Sequence, residues 1–352
     1  MSGILWVEPE LGAVSGGLRY NQQVRSALQR RGVEAAALSL PVEAFDSGSG
    51  EQTVRAERRR LGAELVVLDG LIGSAHPQLF AGEDPAADVL LVHLPAALAQ
   101  GLPENAAAAQ RETQAAQAAK HVVTVSSWGA EQLRRHSPGL QVHVAPPGVE
   151  PAPEAAGLEA GRGASTASAG ARRRASPDTG VTFACVAALN PLKNQALLGA
   201  ALEPLLDSAW RLILAGPGAE TPFGAHTLAE LRRRLPGRVE HRGELTPQQV
   251  SRIWGETDVL VLPSLVETYG MVVAEACAHG VPAVVASGTG AVEAAGDAGA
   301  ACDPRDPAQW TAALRDLLSS PRSLCRLQQR ALDRRDLLPS WDAAAEVFLG
   351  LR

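Results

Sequence analysis

Short, unbroken apolar runs recur along this chain. Each is followed by a polar loop and then by a segment of helical period. Residues 4–7, 35–40, 65–69 (LVVLD), 89–93 (VLLVH), 121–125 and 141–144 form a first series. Residues 181–189, 210–216 (WRLILAG), 239–242, 259–263 and 282–286 form a second. Runs of this kind suit parallel strands covered on both faces. The intervening helices are read at 18–31, 54–60, 106–119, from Ser126 and Ser127 through Arg135, then at 194–206, 226–235, 247–257 behind Thr246, and 308–318. Alternating βα units imply parallel sheets with right-handed crossovers, so the fold class is α/β, built from two doubly wound, Rossmann-like domains.

The two series are separated by residues 151–179. Of these 29 residues, 21 are Ala, Gly, Pro, Ser or Thr, too few apolar side chains to pack a core, so the stretch reads as a flexible linker. Its short basic run, Arg172 to Arg174, reads as solvated linker rather than a membrane or regulatory contact. The expected organisation is a first domain over 1–150, the linker, a second domain over 180–335, and a terminal helix within 336–352.

Composition changes this picture little. A chain of 352 residues with 46% hydrophobic content fits two globular domains. No apolar run reaches the roughly 20 residues that span a bilayer. The opening MSGILWVEPE has no basic n-region and no long apolar stretch, so no signal peptide is expected and the cytoplasm is the expected compartment, with peripheral membrane association left open. The four cysteines lack CxxC spacing and read as reduced thiols. A formal charge of −6 carries no nucleic-acid footprint. Oligomeric state is not legible.

The chemistry concentrates in residues 258–279, DVLVLPSLVETYGMVVAEACAH. A buried strand runs into a loop, and the loop into a helix starting near Met271. Gly270 permits close backbone approach, and the helix N-terminus favours phosphate. Glu267 stands before that anion site and Glu275 after its first turn, which suits a ligand with a central phosphate and hydroxyl groups at both ends, such as a nucleotide sugar. An ordinary strand–loop–helix with an exposed glutamate at each end has the same spacing. Lys193, in a loop after a central strand, is a natural phosphate counter-charge or a surface lysine. His93 ends a strand at the ligand edge of its sheet, as a hydroxyl contact or a polar cap. Gly16 and Gly17 close the first loop, residues 8–17. They do not form GxGxxG, which weakens a dinucleotide reading.

With these residues in place, nearly the whole chain outside the linker resembles the retaining GT-B glycosyltransferases of the family 4 type. Glu267, Thr268, Tyr269 and Gly270 followed by Glu275 resemble that family's E-x7-E signature. GELTPQQVSRIWGETDVLVLPS before it and GVPAVVASGTGAVEAAG after it are also similar, with Glu293 at a frequent glutamate position. APPGVEP, the Gly16–Gly17 pair and VHLP at 92–95 match in order. The resemblance implies two domains facing across a cleft, with a terminal helix crossing back to the first. It implies a sugar transferred with retention from a nucleotide diphosphate sugar, with no metal and no cofactor beyond that donor. Glu267, Lys193 and His93 would act at the sugar and leaving group. Gly270, Met271 and Val272 would meet the diphosphate through backbone amides, beside Thr268 and Tyr269. Glu275 would hold the ribose; Gly216, Gly243, Glu244 and Leu245 would border the base; Gly16 and Gly17 would approach the diphosphate from the other domain. The chain departs from the family at Ala187 and Ala188, where Gly-Arg usually stands. That departure keeps open a non-catalytic sugar-nucleotide-binding protein; a GT-B epimerase is the other alternative. The acceptor, a sugar, lipid or small molecule, is not legible.

Overall fold

The computed structural model describes residues 3–11, 15–98, 106–150 and 180–352. The expected linker, 151–179, lies outside the described residues. The chain divides into two compact units, Met1–Gly148 with Pro339–Arg352, and Val149–Leu338.

The first unit carries β1 (Gly3–Pro9), α1 (Gly16–Arg30), β2 (Ala35–Leu40), α2 (Ser49–Leu61), β3 (Ala63–Asp69), α3 (Gly70–Gly73), β4 (Val89–Val92), α4 (Ala106–Ala118), β5 (His121–Thr124), α5 (Ser127–His136) and β6 (His143–Val144). Its six parallel strands are ordered β2-β1-β3-β4-β5-β6. Leu5, Val66, Val67, Leu90 and Leu91 are fully buried, which is why these strands read as continuous apolar runs.

The second unit carries β7 (Val181–Val186), α6 (Ala196–Leu202), β8 (Trp210–Ala215), α7 (Pro222–Arg234), β9 (Val239–His241), α8 (Pro247–Glu256), β10 (Val259–Leu262), α9 (Met271–Ala278), β11 (Ala283–Ala286), α10 (Ala291–Ala295), β12 (Gly299–Cys302), α11 (Pro307–Ser319) and α12 (Pro321–Arg335). Its parallel order is β12-β11-β10-β7-β8-β9. Thr246 caps α8 in a full capping box with Gln249. Cys185, Cys277 and Cys302 are buried in this unit and Cys325 is exposed. Burial pushes the Cys185 and Cys277 thiols up to about 12, which keeps them protonated.

The last helix, α13 (Trp341–Leu349), belongs to the first unit. Phe348 lies 4.7 Å from the Trp6 ring and Trp341 lies edge-on to Tyr20 at 5.8 Å. Tyr20 donates to the carbonyl of Ala145 at 2.8 Å. Gly148 has no room for a side chain, since a Cβ there would fall 2.1 Å from the Trp341 amide.

One expectation is corrected. Residues 8–17 are not a single loop: β1 runs through Pro9, and Gly16 and Gly17 are the first residues of α1. Ser15 is the N-cap and accepts from the Leu18 amide at 3.1 Å, which outweighs the poor helix propensity of two glycines. The short α10 and the strand β12 went unread because their runs, AVEAA and GAAC, are too short and alanine-rich for a periodic signal. Among the described residues, no helix is long and apolar enough to cross a membrane.

Candidate functional site

In an open parallel sheet, side chains converge where strand order reverses, because neighbouring loops there diverge to opposite faces. In the second unit that point lies between β10 and β7. It brings together the loop after β7, which holds Lys193, and the loop after β10, which holds Glu267. Asn190 receives the Lys193 amide on its side chain at 3.1 Å, closing a 3-10 turn over Pro191–Lys193. Asn194 adopts a left-handed φ of 55° and donates to the carbonyls of Pro263 at 3.2 Å and Pro304 at 2.9 Å. The Leu265 amide donates to the Leu192 carbonyl at 2.8 Å. The two loops are thus laced together, and Lys193 Nζ meets Glu267 Oε2 at 2.6 Å. Both side chains keep some exposure, 25% and 17%.

A third loop completes the group. The Gly290 amide donates to the Glu267 carbonyl at 2.7 Å, and a Cβ at Gly290 would lie 1.8 Å from the Thr268 carbonyl oxygen. Gly270 stands at the N-cap of α9 with φ 83°, a conformation that L side chains rarely adopt. Thr268 and Tyr269 are buried, and burial pushes the Tyr269 hydroxyl up to about 12. Met271 and Val272, half-buried, occupy the first turn of α9, whose amides have no intrahelical acceptor. Glu275 is half-buried one turn further on.

At the neighbouring strand ends, Gly216 donates its amide to the Gly243 carbonyl at 2.8 Å, and a Cβ there would lie 2.2 Å from the Ala187 oxygen. Gly243, Glu244 and Leu245 follow β9 at the same edge. Ala187 and Ala188 contribute no charge; Gln195 instead donates to the Ala188 carbonyl at 2.8 Å.

In the first unit the strand order reverses between β1 and β3. Here the structure gathers a cluster of which only His93 and the glycine pair stood out in the sequence. Asn21 donates through Nδ2 to Asp69 Oδ2 at 3.1 Å and Glu8 Oε2 at 3.4 Å. Its Oδ1 therefore faces His93 Nε2, 2.8 Å away, and that nitrogen carries the proton. Among the described residues His93 Nδ1 makes no hydrogen bond. Arg25 neutralises Glu8 at 2.6 Å. Gly17 must be glycine, since a Cβ would lie 2.9 Å from the His93 ring. Asp69 could have been suspected, as the polar end of a buried run like His93. Asn21 left no such signal, because a polar residue within an amphipathic helix reads as surface.

Asp69 is buried, and burial alone would raise its carboxyl pKa. The hydrogen bond from His93, with those from the Leu71 amide and Asn21, outweighs this and holds it below its ordinary value. A depressed folded-state value stabilises the fold above the unfolded carboxylate pKa of about 3.9, and the contribution is lost as pH falls through the folded value. The melting-temperature gap between the native protein and Asp69→Asn should therefore narrow as pH falls below about 4. A gap unchanged from pH 7 to pH 2.5 would contradict the ionised assignment.

Residues 180–320 match the family described as Glycosyl transferases group 1. The D-inositol 3-phosphate glycosyltransferase of Streptomyces avermitilis is 31% identical over 267 residues, covering 72% of this chain and 56% of the relative. That of Kineococcus radiotolerans is 30% identical over 290 residues, covering 72% and 62%. The chain thus spans little more than half the length of these curated relatives. Among solved structures, a sucrose-phosphate synthase from Thermosynechococcus elongatus aligns over 100% of this chain and 98% of its own, with TM-score 0.80 and 18% identity. HepE of Anabaena, solved in complex with UDP and glucose, aligns over 99% of each chain with TM-score 0.73 and 14% identity. The fold is that of the GT-B glycosyltransferases.

Proposed function

We propose that this chain, which resembles the GT-B glycosyltransferases in sequence and in fold, moves a sugar from a nucleotide diphosphate sugar to an acceptor hydroxyl with retention of configuration. The observation that carries the reading is the Lys193–Glu267 pair held at the N-terminus of α9. In this reading Lys193 leaves Glu267 for the diphosphate, whose charge grows as the C1–oxygen bond breaks. The first-turn amides of α9 share that charge. Glu267, relieved of the lysine, accepts hydrogen bonds from sugar hydroxyls, and Glu275 accepts from the ribose. The acceptor oxygen bonds C1 on the face the leaving group departs, and its proton passes to the departing phosphate oxygen. In the first unit, His93 Nδ1 is available to accept from a substrate hydroxyl. The phosphate charge is assigned to Lys193 and backbone amides rather than to a metal ion. Gly216 and residues 243–245 border the base.

Ala187 and Ala188 favour a second reading, a protein that binds a sugar nucleotide without transferring it. Both are tested by screening nucleotide sugars for a rise in melting temperature, since a ligand of the folded state stabilises it. The stabilising donor is then incubated with an acceptor panel and the product's anomeric configuration is read by proton NMR. Retained product supports the transferase. Binding without turnover across the panel favours the second reading. An inverted product would overturn retention and hand His93 the role of base. Absence of any nucleotide-sugar effect would sink both readings.

A further inference from the structure

The first unit holds its own pocket, a cavity of about 400 Å³, within the range of about 300–1,000 Å³ that small-molecule sites occupy. His93 and Asp69 line it together with the apolar side chains of Pro9, Leu11, Leu18, Leu71 and Leu94. Five large hydrophobic residues are exposed among the described residues, and two of them, Leu71 at 60% and Leu11 at 39%, belong to this pocket. Exposed apolar side chains gathered at one cavity mark a surface meant to be covered.

The polar groups in the wall are largely spoken for. Glu112 is buried, and its two carboxylate oxygens accept from the Ala96 amide at 3.0 Å and the Ser74 hydroxyl at 3.0 Å. Asp69 is occupied by Asn21, His93 and the Leu71 amide. What remains to face a ligand is His93 Nδ1, the Ser15 hydroxyl, the first-turn amides of α1 and the exposed guanidinium of Arg111. Arg111 and the start of α1 could meet a phosphate, but the several hydroxyls of a phosphorylated polyol, the compound for which the curated relatives are named, would lie against the apolar side chains of Pro9, Leu11, Leu18, Leu71 and Leu94, and unpaired polar groups oppose binding.

We infer that the acceptor is an alcohol on an apolar body, seated among the leucines of this pocket with its hydroxyl at His93 Nδ1. The inference rests on the transferase reading and gives it a substrate class. An apolar alcohol reaches such a pocket from solution, as an aromatic aglycone, or from a lipid surface, as a long-chain alcohol. The experiment separates these sources. The purified full chain is titrated with 2-naphthol in solution and with dodecanol carried in phosphatidylcholine vesicles, with myo-inositol 3-phosphate as the polar competitor. Binding is read without donor by calorimetry, and nucleoside diphosphate release is read after adding the donor found by thermal shift.

At least one apolar alcohol should bind at least tenfold more tightly than the inositol phosphate and should trigger release. Leu71→Gln, at an exposed position that leaves the melting temperature unchanged, should weaken that binding at least fivefold. A preference for myo-inositol 3-phosphate, or a Leu71→Gln variant that binds naphthol and dodecanol as the native protein does, would overturn the inference and leave the transferase standing. Tight binding of an apolar alcohol without release from any donor would support the pocket's chemistry while removing the transferase reading beneath it.

Discussion

Replacing Lys193 by alanine should lower sugar transfer by about 10²–10³-fold, the usual cost of removing one preorganised group that meets developing charge. Two structural facts set the size. Lys193 is one of only two lysines in the chain, and Ala187 and Ala188 leave the adjacent strand end without a cation. The loss should fall on kcat as much as on kcat/KM, because the leaving-group charge is greatest in the transition state. Glu267→Gln should lose activity on a similar scale while keeping the loop shape. The two residues meet at 2.6 Å, so a structural role must be separated from a chemical one. Their partial exposure limits the pair to about 1 kcal/mol or less of stability. If the pair only braced the loops, either single variant would already lose the brace and the double variant would lose no more than a single one. If each group acts on substrate in its own right, the double variant should fall clearly below the worse single. Turnover close to native in Lys193→Ala would remove the site assignment altogether.

Gly290→Ala should be the most damaging single methyl in the second unit's site. The added Cβ would sit 1.8 Å from the Thr268 carbonyl oxygen, a backbone atom that cannot swing aside. Relief requires moving the loop at 267–270 or the loop at 288–290, and either movement breaks the hydrogen bond from the Gly290 amide to the Glu267 carbonyl. A cost of about 1–3 kcal/mol or more is expected from the overpacking alone. Differential scanning calorimetry should show a lowered transition, and donor affinity should fall at least about tenfold, about 1.4 kcal/mol. Gly255→Ala is the matched control: it lies in α8, exposed, with open space around its Cβ position, and should be neutral or slightly stabilising. Native melting and native donor affinity in Gly290→Ala would show that the contact is not what shapes the loop.

The fold was legible where burial on both faces leaves no polar interruption. VLVL and LVVLD could hardly be anything but central strands, and their spacing by helical segments fixes a parallel, doubly wound arrangement. Glu267, Glu275 and Gly270 were legible as candidates because they lie on one strand–loop–helix unit, so their spacing in sequence is nearly their spacing in space. The grouping of Lys193 with Glu267 was legible only through the family resemblance, because the residues alone do not show that β7 and β10 are neighbours, which the sheet order supplies. The grouping of Glu8, Asn21, Asp69 and His93, drawn from four elements, was not legible. Gly16 and Gly17 misled for a different reason. Glycine signals a loop by its own preference; here the Ser15 cap starts a helix at the pair, and at Gly17 the His93 ring occupies the space a side chain would need.

The position of α13 bears on how the molecule is made. The ribosome releases residues 1–148 long before Trp341 and Phe348, yet Trp6 and Tyr20 rest against those two rings. During synthesis the first unit therefore has its sheet but not its cover, and the apolar faces of β1 and α1 stay open while the entire second unit is translated. Closure depends on contacts of very long sequence separation, which form late and slowly. The first unit is thus the one that would call on a chaperone, and the second can reach its native state first although it is made later.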